Sequence, residues 1–228
     1  MLNDSNQRAM QTYDVIVALF DLDYTLLDGD CEYLWSDFLF KNKLVDARFV
    51  DGIARYYEDY EMGSLDIFEY EAYLLQPLKI LPIEKLLQLR KNYLDLIPDL
   101  IRPSLVARLE WHRAQKHELL LITASNSFLA EPIAKMLRFS NLICTQVEVI
   151  QNKFTGNIIG IPAFRDGKTQ LLDNWLSQRG LSLNGSWGYG DSHNDLPLLQ
   201  MVEHAVAVTP DPVLNRFARK AGWEIINE

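Results

Sequence analysis

The chain has 228 residues, 48% of them hydrophobic, and a formal net charge of -9. That length fits one large domain or a core carrying an insertion, because domains commonly run about 100 to 200 residues. The negative balance argues against a surface that neutralises nucleic-acid phosphates or docks on anionic lipid. The two cysteines, Cys31 and Cys144, lack metal-ligand or CxxC spacing and argue against a disulfide framework or a zinc site.

Residues 1–7 are polar and carry an acid before any apolar run, unlike a secretory or transit peptide. No stretch approaches the roughly 18 apolar residues of a membrane span, so a soluble, reducing, cytoplasmic setting is expected. After Asp14, residues 15–20 form a short apolar run rich in β-branched side chains, as expected of a strand buried on both faces. It ends on Asp21-Leu22-Asp23-Tyr24-Thr25. From 32 to 98 no such run occurs; the segment is aromatic and charged with helical spacing, and it reads as a cap inserted over the carboxyl end of the first strand.

Beyond it, a helix is predicted over 104–116 with Ser104 as its N-cap after Pro103. A strand follows over 119–123, then a helix over 128–137. Residues 147–150 and 155–159 read as an edge hairpin around a polar turn. A helix over 169–178 stops before Gly180. A strand over 186–189, a helix over 196–202 and a strand over 205–208 complete the pattern. Strands alternating with helices make this an α/β chain with a mostly parallel sheet and helices on both faces.

In such sheets ligands bind outside the carboxyl ends of the strands. Four features fall there or on the following turns: Asp21 with Asp23; Thr123, Ala124 and Ser125; Lys168; and Asp191 with Asn194 and Asp195. Four aspartates in one pocket repel one another and protonate unless cations compensate them. A hard divalent ion suits them, Mg²⁺ above all, because it prefers carboxylate, carbonyl and water oxygens and keeps positions open for phosphate. Asp21 and Asp191 are candidate ligands, with the Asp23 backbone carbonyl as a third. Lys168 faces the nucleophile and a phosphate oxygen, Thr123 offers a hydroxyl, and the N–H groups opening the next helix hold an anion. Phosphoryl transfer follows, with Asp21 attacking phosphorus and Asp23 carrying the proton.

Asp-Leu-Asp-Tyr-Thr, Thr123, Gly167-Lys168 and Gly-Asp-Ser-His-Asn-Asp resemble, in order, the four motifs of the haloacid dehalogenase superfamily. The helical insertion after the first motif resembles the cap of phosphoserine phosphatase-like members, among them bacterial histidinol-phosphate phosphatases. The resemblance implies a three-layer Rossmann-like core over 1–31 and 99–228 and an all-helical cap over 32–98. It implies Asp21 as nucleophile, Asp23 as acid and base, Thr25, Thr123, Ala124, Ser125, Lys168 and Asn194 as substrate contacts, and Asp21, Asp23, Asp191 and Asp195 at the Mg²⁺ site. The substrate implied is a small phosphorylated metabolite. Two departures bear on which one: Asp30 stands nine residues past the nucleophile where phosphoserine phosphatases place a glutamate that meets the substrate ammonium, and Thr123-Ala124-Ser125-Asn126 replaces their Ser-Gly-Gly-Phe. The bulkier Ala124 and Ser125 argue against phosphoserine itself, while Asp30 still suits an amine-bearing phosphate such as histidinol phosphate.

Plainer readings stand beside these. Thr123 caps a helix, Lys168 is a surface charge, Asp191 and Asp195 are an N-cap and a first-turn acid, Asn194 is a turn residue, Asp30 is a linker acid, and His193 sits on a loop surface. Competing functions are a phosphotransferase using the same aspartyl phosphate, a receiver-like signalling module, and a binding protein that has lost turnover. The second aspartate and the long insertion favour turnover over a persistent phosphoryl mark.

Overall fold

The computed structural model describes residues 15–228; the readings of residues 1–7 and of Asp14 lie outside the described residues. The first strand, β1 (Val17–Phe20), is buried along its whole length. Its side chains alternate between two apolar layers. Ala18 and Phe20 face one, while Val17 and Leu19 face the other. β2 (Glu118–Asn126) repeats this, with Leu119 and Leu121 on the first side and Leu120 and Ile122 on the second. A strand apolar on both faces needs helices on both, which is why these runs read as continuous rather than alternating.

The helices between these strands are α1 (Cys31–Lys41), α2 (Ala47–Met62), α3 (Ile67–Leu74), α4 (Gln76–Ile80), α5 (Ile83–Leu94) and α6 (Pro103–Ala114). Then come α7 (Ser127–Met136), β3 (Asn141–Ile150), β4 (Lys153–Ile159), α8 (Asp166–Arg179), β5 (Trp187–Gly190), α9 (Leu196–Leu199), β6 (His204–Val208), α10 (Pro212–Ala221) and β7 (Glu224–Ile226). The sheet order is β4-β3-β2-β1-β5-β6-β7. All neighbours are parallel except β3 and β4. The parallel strands run outward from β1 in one direction and then, from β5, in the other. The order therefore reverses between β1 and β5, the place where doubly wound sheets open a crevice.

The inserted helices do not form a separate body throughout. Trp35 and Leu39 of α1, Leu78 of α4 and Leu86, Leu89 and Tyr93 of α5 share one apolar cluster with Phe20, Leu121 and Phe128. The Tyr93 hydroxyl donates to the Cys31 carbonyl at 2.6 Å, joining α5 to α1. α2 and α3 instead build their own cluster of Phe49, Ile53, Tyr70 and Leu74. At Gly52 the Tyr73 ring leans so close that a Cβ would meet its hydroxyl at 2.2 Å.

Some sequence expectations need correction. Ser104 does not cap α6: Arg102 occupies that position, Pro103 takes the first helical site where its missing N–H is harmless, and the Ser104 hydroxyl is enclosed without a partner. The helix expected over 196–202 ends at Leu199. The hairpin turn is two residues, Gln151 and Asn152, both at positive φ (49° and 61°), the arrangement whose twist matches paired strands. Hence Lys153 and Phe154 belong to β4. Three elements had no counterpart in the sequence reading: the first half of β3, which pairs with β2, and α10 with β7. Among the described residues no helix is long and apolar enough to cross a membrane.

Candidate active site

Asp21 follows β1 directly, and its N–H donates to the Tyr189 carbonyl of β5 at 3.0 Å, so the reversal point of the sheet presents its carboxylate. Lys168, in the first turn of α8, is buried and reaches both Asp21 Oδ1 and Asp195 Oδ1 at 2.6 Å. It is delivered there by the residue before it: a Cβ on Gly167 would stand 2.0 Å from the Pro162 carbonyl oxygen. Asp191, just past β5, accepts from the Thr25 hydroxyl at 2.9 Å. Carboxylate oxygens of Asp21, Asp191 and Asp195 lie within 4.8 Å of one another.

Three carboxylates meet one ammonium here. Burial pushes the Asp21 carboxyl up to about 8; Lys168 opposes that shift, and the charges of Asp195 and Asp23 add to it. Burial, then the charges of Asp195 and Asp21, holds Asp191 well above the usual carboxylate range. For Lys168 burial opposes the charge, but Asp195 and Asp21 outweigh it and hold the ammonium above its ordinary value. An all-oxygen donor set with excess negative charge fits a hard divalent cation.

Asp23, two residues past Asp21, sits in a different environment. Its Oδ1 accepts from the Cys31 N–H at 2.7 Å, and its Oδ2 from the Ser125 hydroxyl at 2.6 Å and the Thr123 hydroxyl at 3.2 Å. Thr123 and Ser125 thus hold Asp23, whereas the sequence reading aimed them at phosphate. The Thr25 hydroxyl is spent on Asp191, and Thr25 is not part of the pocket lining. Asp195 closes a capping box with Ser192, so Ser192 rather than Asp191 is the cap. His193 is half-buried and pairs with Asp211 at 2.7 Å. The Asn194 carbonyl accepts from Arg165 Nε at 2.8 Å, while its amide Nδ2 is buried without a partner.

These side chains border a pocket that is open to solvent at its mouth. Asp21, Asp23, Asp30, Thr123, Ala124, Ser125, Lys168, Asp191, Asn194 and Asp195 all line it. Its other wall comes from the inserted helices. Asp30 caps α1, accepting from the N–H groups of Glu32 and Tyr33 at 2.8 Å each, and burial followed by the Asp23 charge pushes its carboxyl up to about 7. Glu32 accepts from the Asn126 N–H at 2.7 Å and side-chain amide at 2.6 Å, and from the Tyr70 hydroxyl at 3.0 Å. Glu71 is buried, and neither of its oxygens has a hydrogen-bond partner. Tyr60 of α2 donates to Ser192 Oγ at 3.2 Å, bridging the two walls.

The haloacid dehalogenase-like hydrolase family model matches residues 18–200. The chain belongs to that family. Among its members, the histidinol-phosphatase of Neisseria meningitidis is 35% identical, over 92% of this chain and 98% of the relative. Phosphoserine phosphatase SerB1 of Mycobacterium tuberculosis is 29% identical, over 91% and 69%. The solved structure of a protein with unknown function from Bordetella pertussis superposes with a TM-score of 0.86 at 33% identity, covering 93% of this chain and 98% of that one. A substrate-bound phosphoserine phosphatase shares the fold at a TM-score of 0.70 and 17% identity, covering 93% of each chain.

Within this hydrolase fold, the sheet-side residues were visible in sequence as motifs. Glu32, Tyr57, Tyr60, Tyr70, Glu71 and Arg165 were not. The tyrosines were noted only as cap aromatics, and an acid on an amphipathic helix normally faces water. Only the order of the fold turns these inward.

Proposed function

We propose that the chain is a Mg²⁺-dependent phosphomonoester hydrolase that works through an aspartyl phosphate on a small amine-bearing phosphate such as histidinol phosphate or phosphoserine. The observation that carries the reading is Lys168 bridging Asp21 and Asp195 at 2.6 Å beside Asp191, at the reversal point of the sheet. The reading takes 32–98 as the cap, 1–31 with 99–228 as the core, and a cytoplasmic setting.

Mg²⁺ would be held by the Asp21 and Asp191 carboxylates and the Asp23 backbone carbonyl with Asp195 in support, and would supply positive charge against the phosphoryl oxygens and the aspartates. Asp21 forms a bond to phosphorus as the bond to the alcohol oxygen breaks, and the Asp23 carboxyl gives its proton to that oxygen. Asp23, now ionised, takes a proton from the water that attacks the aspartyl phosphate; inorganic phosphate leaves and Asp21 is restored. Lys168 neutralises Asp21 while it approaches an anionic substrate. The hydroxyls of Ser125 and Thr123 and the Cys31 N–H fix the Asp23 carboxylate in place for both proton transfers. Asp30 meets the substrate ammonium, and the buried, unpaired Asn194 amide offers the phosphate a donor.

The test is phosphate release from a panel of phosphorylated metabolites with Mg²⁺ and with a chelator. Release that the chelator stops supports the reading; no release from any member rejects it. Added alcohol acceptor separates the transferase, which would phosphorylate the acceptor in preference to water.

A further inference from the structure

We propose that Glu32, backed by Glu71, is a specificity-determining residue: it forms a counter-charge subsite for a cationic nitrogen of the substrate and turns away substrates that carry a carboxylate. The ester taken is then an amino-alcohol phosphate rather than a phosphoamino acid. The inference rests on the phosphatase reading for its substrate class and on the pocket's far wall for its argument.

That wall presents Asp30 and Glu32, with Glu71 close to Glu32 but outside the lining, and among the described residues neither Asp30 nor Glu32 pairs with a basic side chain. Among the described lining residues the basic side chains are Lys168 and Arg165. Lys168 is engaged by Asp21 and Asp195, and Arg165 holds the Asn194 carbonyl. Glu32 is 4% exposed yet lines the pocket. Tying α1 to the start of α7 through Asn126 does not require its charge, since a glutamine accepts the same bonds. Nor does that tie explain Glu71, 1% exposed with both oxygens unpaired, whose charge is the strongest acting on Glu32.

Burial makes a carboxyl unfavourable to ionise, and a cationic nitrogen entering beside Asp30 and Glu32 offsets that cost in the complex. A carboxylate in the same space would face Asp30 and Glu32, which repel it. The surrounding Tyr56, Tyr57, Tyr70, Leu65 and Ile67 leave room for an apolar or ring-bearing body behind the amine.

Four esters divide the question: phosphoethanolamine and histidinol phosphate carry a cationic nitrogen and no carboxylate, phosphoserine carries both, and p-nitrophenyl phosphate carries neither. The wild-type protein should favour phosphoethanolamine over phosphoserine in kcat/KM by about tenfold or more. Glu32→Gln and Glu71→Gln should each narrow the amine-to-aryl selectivity by about tenfold, mainly through KM. Preference for phosphoserine, or an equal loss on all four esters, would overturn the subsite. Calorimetric binding of histidinol, with no turnover involved, reads the subsite by itself. About tenfold weaker binding to the Glu32→Gln protein upholds it even if no ester is hydrolysed, and equal binding to both proteins rejects it. Failure of the phosphatase reading is thereby kept distinct from failure of this one.

Discussion

The two walls of the pocket handle buried negative charge in opposite ways. On the sheet side, Asp21, Asp191 and Asp195 surround an ammonium that touches two of them at 2.6 Å. On the helical side, Asp30 and Glu32 meet neutral donors, namely backbone N–H groups, an asparagine and a tyrosine, and the nearby Glu71 meets none. Equal burial therefore does not mean equal chemistry. The first wall sets its carboxylates around an ammonium, and among the described residues the lining carboxylates of the second are paired with no basic side chain.

The largest effect that would break this contrast is at Asp21. Asp21→Asn should reduce phosphate release by at least about a thousandfold, since no other group takes over a covalent nucleophile's role. Full activity in a steady-state assay would remove the assignment. Lys168→Met should lower kcat/KM by about a hundredfold and also destabilise the fold by roughly 3 kcal/mol, because removing one partner strands buried carboxylates. Denaturant titration reads the second effect separately from the first.

Metal removal sharpens the same wall. Mg²⁺ should raise the Tm of the wild-type protein, because a ligand that binds only the folded chain stabilises it, and Asp191→Asn should lose most of that rise in a calorimetric scan. A protein whose Tm ignores Mg²⁺ would contradict the fit of these three carboxylates to the ion.

On the other wall the signature is a pH dependence. Burial, then the charge of Asp30, pushes the Glu71 carboxyl from 4.5 up to about 8. Between those values the unfolded chain has released a proton that the folded chain keeps, so stability falls as pH rises, by at most ~1.4 kcal/mol per pH unit. Glu71→Gln removes that loss. Its gain in Tm over wild type should be near zero below pH 4.5 and grow until about pH 8; a gain independent of pH would mean a mere packing change. The smallest effect concerns the contact between the walls. Tyr60→Phe removes the hydroxyl that meets Ser192 at 3.2 Å and should raise KM about two- to fivefold with kcat little changed, as expected for one neutral hydrogen bond.

The contrast also explains what could be read before the fold was known. Asp21, Asp23, Lys168 and Asp191 stand on short turns after apolar strands or at a helix start, where local pattern and position along the sheet suffice. β1 and β2 were legible because their apolar runs serve two layers. Glu32 and Glu71 lie on helices whose polar residues ordinarily face solvent, and tertiary packing buries both, Glu32 against Asn126 and Tyr70. The first half of β3 was missed because its run is broken by Asn141, Thr145 and Gln146. Asn141 is tied to Glu118 and to the Leu119 carbonyl, and Thr145 to the Ala124 carbonyl; a linear pattern shows neither tie. Ser104 misled because a proline before it makes either residue a credible helix start.

Gly167 touches no ligand and bears no charge, yet the Pro162 carbonyl fills the space where any other residue would put its first carbon. One methyl group at that position would keep every reactive side chain in the list of parts and still push the ammonium off its seat. The seating of Lys168 hinges on an absence, a hydrogen where other residues carry carbon, in a spot that an inventory of functional groups would pass over.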